Sequence, residues 1–329
     1  MRRYTKNMII YCCIAFGVVL FSSCAKSANS TPPPKQTFPA SNFFTDPKVV
    51  ELAEAAVIGD IKRIETLVSR GVDVNSKGKK GMTPLIYTVF LMAKRQDYED
   101  SVGVPPPLKE CPKTSIEGFQ HLLILGADPN MQQTEWGQSA ISYASYLRKS
   151  SEYLKLVIAH GGNPNIRRQV PLNTPTSTYP NTEPTPIYDA INGRSSENAQ
   201  ILIKAGADVS NVRNSYGWTP LMSAAVIKSF GVMYVLLEAD ADFSAKDPMG
   251  YSVANYLLES EVYNPKSKSF KSRKKCFEFM EKKGIDFEEE ALKAAEIDRQ
   301  RDENPSSSSR YHERAGCASP AKLYNRQEG

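Results

Sequence analysis

The chain has 329 residues, with 41 Lys and Arg against 36 Asp and Glu and a formal net charge of +5. Three of the cations, Arg2, Arg3 and Lys6, lie ahead of residue 24 in a stretch without acids, so the remainder carries an excess of only +2. That balance argues against a nucleic-acid binder, which shows a clear basic excess, and the length allows one domain or an elongated array.

The amino terminus reads as an export signal. Arg2, Arg3 and Lys6 make a positive start, and Met8 to Phe21 runs without a charge. The run falls short of the about 20 apolar residues that cross a bilayer, so residues 1–23 are expected to be a cleaved signal peptide. It ends at Leu20-Phe21-Ser22-Ser23-Cys24, which resembles the bacterial lipobox, with Phe21 where that pattern usually has leucine. The resemblance implies that Cys24 becomes lipid-modified and amino-terminal, and that its acyl chains hold the protein on a membrane. A transmembrane anchor or a plain secretory signal with a coincidental cysteine is the alternative. Ala25 stands where aspartate would resemble an inner-membrane retention signal, so the same likeness points to the outer membrane, facing the periplasm. Residues 24–45, with Pro32-Pro33-Pro34, have little to bury and are expected to form a tether. Met8 as an internal start would remove Arg2, Arg3 and Lys6 and leave a cytoplasmic form.

Beyond the tether one pattern recurs. Tyr216-Gly217-Trp218-Thr219-Pro220-Leu221 leads to Ser223-Ala224-Ala225, then to Val235-Leu236-Leu237-Glu238-Ala239-Asp240-Ala241-Asp242. Thr219 is placed to cap a helix, with Pro220 at its first position, where a missing donor costs nothing. Val232, Val235 and Leu236 give the apolar stripe of a second helix. Thr185-Pro186-Ile187 precedes Thr219 by 34 positions and leads to Gly206-Ala207-Asp208. Earlier copies are Glu51 to Asn75, Thr83-Pro84-Leu85 with Gly126-Ala127-Asp128, and Ser139-Ala140-Ile141 with Gly161; a last copy runs from Tyr251-Ser252-Val253-Ala254 to Gly284-Ile285-Asp286. The unit resembles the ankyrin repeat, a loop and two antiparallel helices recurring at about 33 residues. The resemblance implies an all-α ankyrin-repeat solenoid of about six helix-loop-helix repeats over residues 46–287, with insertions in repeats 2, 4 and 6. The residue after Thr-Pro-Leu, a histidine in that family, is Ile86, Tyr188 or Met222, which suggests more reliance on apolar packing between loops.

The insertions are Arg95 to Thr114, Arg167 to Thr182 and Tyr263 to Lys275. The first is expected as a solvated bulge, the second as a lengthened finger on the concave side or a disordered decoration. The third is basic with two aromatics, either a solvated capping turn or a contact for anionic lipid or an acidic partner. Residues 288–329 are expected to be a charged helix and a disordered tail.

No catalytic constellation stands out. His121, His160 and His312 belong to no HExxH motif or Cys/His cluster, and no GxSxG elbow, P-loop or GxGxxG is present. Asp73, Asp128, Asp208 and Asp242 recur at the same turn of successive repeats, so they cannot converge on one metal. No catalytic residue, metal or cofactor is expected, and the chain is read as a non-enzyme. With Cys12, Cys13 and Cys24 set aside, Cys111, Cys276 and Cys317 allow at most one internal disulfide.

The ankyrin likeness implies a surface that binds another protein. Large aromatics and arginines near the loop tips, Trp136, Arg167, Arg168, Tyr179, Arg213, Tyr216 and Trp218, are the expected anchors, since those residue types dominate hot spots. Trp218 can equally be buried between loops; Tyr216 and Trp136, each just before a glycine, are expected to be exposed. Lipid-anchored ankyrin proteins resemble immunity partners of antibacterial lipases, such as phospholipase effectors, delivered by type VI secretion. The leading expectation is therefore a periplasmic immunity protein that neutralises such a toxin. An envelope scaffolding or assembly lipoprotein is the alternative, and thiol protection through Cys111 or Cys276 a third reading.

Overall fold

The computed structural model describes residues 38–102, 115–169, 184–260, 262 and 264–303. The signal peptide, Cys24, Cys111, Cys317, His312, Tyr179 and the tail after residue 303 lie outside the described residues. The chain divides into two compact units, whose described parts are residues 38–169 and 184–303. Among the described residues the structure is helical, with two isolated β-bridges, Gln132 with Ser139 and Lys246 with Ser252.

The amino-terminal unit holds α1 Pro47–Ile58, α2 Ile61–Ser69, α3 Pro84–Val102, α4 Ile116–Ile124, α5 Ala140–Tyr146 and α6 Glu152–Ala159. Helices α1, α3 and α5 pack in one row and α2, α4 and α6 in a second, each pair being one repeat. Thr83 Oγ1 accepts from the Ile86 amide at 3.2 Å and Ser139 Oγ from Ser142 at 3.4 Å, so the inner helices start on side-chain caps. Close approach is enforced where α4 crosses α1: a Cβ at Gly118 would collide with the Ala56 carbonyl. The core is made of Leu52, Ile64, Leu85, Ile86, Phe119, Leu122, Ile141 and Leu154, all fully buried.

The carboxy-terminal unit holds α7 Pro186–Asn192, α8 Ser196–Lys204, α9 Pro220–Val226, α10 Phe230–Glu238, α11 Val253–Glu259, α12 Lys268–Lys282 and α13 Phe287–Glu303. Inner helices α7, α9 and α11 again form one row and α8, α10 and α12 the other. Helix α13 follows the turn at Gly284 without a finger loop and packs on α11, where the inner helix of a further repeat would sit. It covers the end of the stack, as terminal repeats of solenoids must. Its fit is polar as well as apolar: Ser252 Oγ donates to Glu290 Oε2 at 2.5 Å and Tyr251 Oη to Asp298 Oδ1 at 2.5 Å. No helix among the described residues is long and apolar enough to cross a membrane.

Outer helices end on a left-handed residue, Gly71, Gly126, Gly161, Gly206 and Gly284 with φ between 85° and 92°. Asp240 takes that place after α10 with φ 54°. The recurrent Asp or Asn two residues beyond the glycine then folds the turn. Asp73, Asp128, Asn163, Asp208 and Asp242 each accept a hydrogen bond from the backbone amide two residues on. In the amino-terminal unit an asparagine ladder ties successive turns. Asn75 donates to Gly126 O at 3.0 Å and accepts from Asp128 N at 2.8 Å; Asn130 does the same to Gly161 and Asn163 at 2.9 and 2.7 Å.

Two inserted stretches depart from the loops read from sequence, because the chain lengthens helices there. Residues 95–102 continue α3, and only 103–114 of that insertion lie outside the described residues. The added turns are clamped to the end of α5: Gln96 Oε1 accepts from Arg148 N at 2.6 Å, Tyr146 Oη donates to Asp97 at 2.7 Å, and Arg148 and Lys149 pair with Asp100 and Glu99. Residues 95–102 are thus a buttress rather than a free bulge. Residues 268–275 of the basic stretch of the last repeat likewise become the start of α12.

Candidate protein-binding surface

In each repeat the segment between the outer helix and the next inner helix forms a finger loop. Two fingers of the amino-terminal unit are described in full and two of the carboxy-terminal unit. In the first pair, Thr134 N donates to Lys80 O at 2.9 Å and Lys80 Nζ lies 2.5 Å from Glu135 Oε2, so neighbouring loops brace one another. Trp136 sits at this finger's tip and is half-buried, not exposed as its position suggested. Gln132 donates to the Arg167 carbonyl at 2.9 Å and accepts from Gln169 N at 2.8 Å, which leaves the Arg167 side chain exposed and places Arg168 inward, 6% exposed. Of that adjacent pair, Arg167 alone has an outward face.

In the carboxy-terminal unit Asn214 organises the finger. Its Oδ1 accepts from Tyr216 N at 3.0 Å and Trp218 N at 3.1 Å, and its amide donates to Ser223 Oγ at 3.0 Å. The Trp218 indole is 4% exposed and donates to Tyr256 Oη at 3.0 Å, which in turn donates to Asp247 Oδ2 at 2.5 Å. Of the two places open to Trp218 in the sequence, the fold takes the buried one. The reason is register: Tyr251, at the same position of the next finger, is buried too. Tyr216 stacks on Trp218 at 4.8 Å and 26° and is half-buried, not exposed as its position suggested. Arg213 Nη1 donates to Gly217 O at 2.9 Å and to Lys246 O at 3.3 Å, stapling two fingers together.

The Tyr188 hydroxyl corrects the expectation of apolar loop packing where the family has histidine. It lies 2.7 Å from Trp218 O and 3.1 Å from Val212 O, fully inside, so a hydrogen-bonded link to the finger persists with a different side chain. Burial pushes its phenol well above the usual range. At the other two positions the apolar side chains of Ile86 and Met222 are buried.

An aromatic row was not foreseen. Phe38 and Phe43 lie against Phe90 of α3 at 5.5 and 5.6 Å, Phe43 and Phe44 against Tyr87 at 5.6 and 5.9 Å, and Phe90 meets Tyr143 of α5 at 5.8 Å. Tyr87 Oη donates to Phe38 O at 2.7 Å. Phe38 to Phe44, assigned to the tether on composition, thus packs on inner helices of the first unit; three phenylalanines in a polar stretch were the available signal.

Among the described residues no group of three His, Cys, Asp or Glu could hold a metal. His160 Nδ1 lies 2.9 Å from Leu156 O at its helix end, and His121 Nε2 lies 3.3 Å from Glu65. Cys276 is fully buried on α12, and burial pushes its thiol up to about 12. That is the opposite of the depressed value that makes a thiol reactive.

A family model for ankyrin repeats in three copies matches residues 172–247. Among solved structures, an ankyrin repeat domain from Acinetobacter baumannii AYE is similar at 20% identity and TM-score 0.47, covering 70% of this chain and 95% of that one. The ankyrin repeat protein EF0377 is similar at 20% identity and TM-score 0.49, covering 71% and 97%. A chain from the complex of the predatory endopeptidase Bd0816 of Bdellovibrio bacteriovorus with immunity protein Bd3460 is similar at 18% and 0.47, covering 68% and 97%. The helix pairs, glycine turns and finger loops of this chain are those of an ankyrin-repeat fold.

Proposed function

We propose that this protein is a non-catalytic, lipid-anchored immunity factor that binds and neutralises an antibacterial effector, of lipase type, in the periplasm. Ankyrin repeats are protein-binding modules, and the observation that carries the reading is what the fold leaves over at its fingers. Arg167 is exposed and Trp136 and Tyr216 are half-buried at the fingers of their respective units, on loops that hydrogen bonds brace. Aromatics and arginine are the residue types that dominate hot spots, and on braced loops little backbone ordering opposes association. Trp218 and Arg213 hold the carboxy-terminal fingers in shape, and Arg168 lies inward in the amino-terminal unit. The lipobox-like stretch ending at Cys24 supports the anchored, periplasmic part of this reading.

The test is capture of the partner by the chain from residue 24 onward, with Cys24→Ser, from lysate of its own host, followed by directing the captured protein to the periplasm. A toxic lipase neutralised by this chain supports the proposal, with Trp136→Ala and Tyr216→Ala each weakening binding by about 1–2 kcal/mol. Capture of a harmless envelope protein sinks it in favour of a scaffolding role. Loss of palmitate incorporation in Cys24→Ser tests the anchor separately.

A further inference from the structure

The outer helices α2, α4, α6, α8 and α10 have eight or nine residues, whereas α12 has fifteen. Counted back from the glycine turn that ends each, the surplus lies at the start of α12, Lys268 to Arg273, about 9 Å of helix that the other repeats lack. From Asn264 to Phe277 the sequence carries Lys266, Lys268, Lys271, Arg273, Lys274 and Lys275 and no acid. Cations in the first turns of a helix oppose its macrodipole, so stability of the repeat does not account for them.

Arg273 has a structural task. Its guanidinium donates to Leu257 O at 3.0 Å and Ser260 Oγ at 3.3 Å, closing the end of α11, and it lies 4.6 Å over the Phe277 ring. Lys274 pairs with Glu278 at 3.4 Å. Lys266, Lys268 and Lys271 are exposed and make no ion pair among the described residues. At 100° per residue Lys268, Lys271, Lys275 and Lys282 fall within about 60° of one another, on the side away from buried Cys276 and Met280. They form a stripe about 21 Å long on a convex helix; the Lys275 ammonium lies 5.4 Å over the Tyr234 ring of α10, and the neighbouring acids are Glu278 on this helix and Glu238, hydrogen-bonded to Tyr234, on α10. A straight row of flexible ammonium groups offers no pocket or fork for a particular carboxylate; it fits a flat sheet of negative charge.

We propose that the extended start of α12 is a docking surface for an anionic phospholipid bilayer. Contact along the lysine stripe would hold this unit's outer helices toward the membrane and its fingers away from it. The choice of membrane rests on the envelope location proposed above; the binding itself does not.

The experiment is vesicle co-sedimentation of the chain from residue 24 onward with Cys24→Ser, so that no acyl chain contributes. Vesicles are phosphatidylcholine alone, or phosphatidylcholine and phosphatidylglycerol in equal parts. Binding is expected on the anionic vesicles alone, lost near 1 M salt, where the Debye length falls to about 3 Å. Lys268→Gln with Lys271→Gln is expected to weaken it about 25-fold, about fivefold per lysine, with an unchanged thermal midpoint. Lys268→Arg with Lys271→Arg should bind as the parent does. Equal binding to both vesicles, or an unaffected double glutamine variant, overturns the proposal. So does capture of soluble polyglutamate at these lysines without vesicle binding, which assigns the stripe to an acidic protein. Vesicle binding by a protein that takes up no palmitate in cells would sink the anchor and leave this surface standing.

Discussion

Replacing Glu259 with glutamine should make the carboxy-terminal unit more stable at alkaline pH and leave it unchanged in mild acid. Glu259 closes α11, and its Oε1 is buried without a hydrogen-bond partner among the described residues. Burial first, and then the negative charge of Asp298 on α13, raises its carboxyl from 4.5 to about 8. In the unfolded chain the group keeps its ordinary value, so the folded state binds a proton that the unfolded state releases. The stabilisation from protonated Glu259 is therefore complete below about pH 4.5 and is lost as pH rises toward about 8. At about 1.4 kcal/mol per pH unit the window has a ceiling near 5 kcal/mol, and residual exposure brings the expected effect to about 2–3 kcal/mol. Glutamine keeps the shape and has no proton to lose. The assay is urea unfolding followed by Trp218, whose indole touches Tyr256 one turn before Glu259, in a Trp136→Phe background. Wild type and Glu259→Gln should coincide near pH 4, separate steadily between about pH 5 and pH 8, and keep a constant gap above that. Parallel curves across that range would refute the placement of a neutral carboxyl between α11 and α13.

Tyr188→Phe removes the donor between α7 and the finger at Trp218. Because Trp218 O also accepts from Asn214 N at 3.1 Å, the loss should be at the low end for a buried hydrogen bond, about 1 kcal/mol, read by the same unfolding assay. Asp240→Gly relieves a left-handed non-glycine residue, φ 54°, and should stabilise by about 1 kcal/mol in thermal unfolding, less a few tenths for the exposed pair with Lys283. Asn130→Ala breaks both rungs of its ladder, to Gly161 and Asn163, and should cost about 1–2 kcal/mol in chemical denaturation of the amino-terminal unit. Cys276 should resist a thiol reagent in the native protein and react at the rate of unfolding; fast native labelling would contradict its burial.

The repeat was legible because its signals are local. Thr-Pro at an inner helix start, glycine at an outer helix end and aspartate two residues later each act on the backbone within a few positions, so residues such as Thr83, Thr219, Gly126 and Asp128, recurring in register, made the helix pairs readable. The tertiary structure decided whatever depends on which neighbour lies alongside. Trp218 and Trp136 both stand at fingertips in sequence, yet Tyr256 from the next repeat accepts one indole and draws it inside. Arg167 and Arg168 are equivalent in composition, and the bonds of Gln132 to the backbone on either side of Arg168 turn one outward and the other inward. The inserted stretches at Arg95 and Lys268 looked like loops because they break the repeat length, but a helix can absorb extra residues by growing when a surface is there to hold it. Partners such as Tyr146 for Asp97 and Leu257 for Arg273 come from about 16 to 50 positions away, beyond the reach of any local pattern.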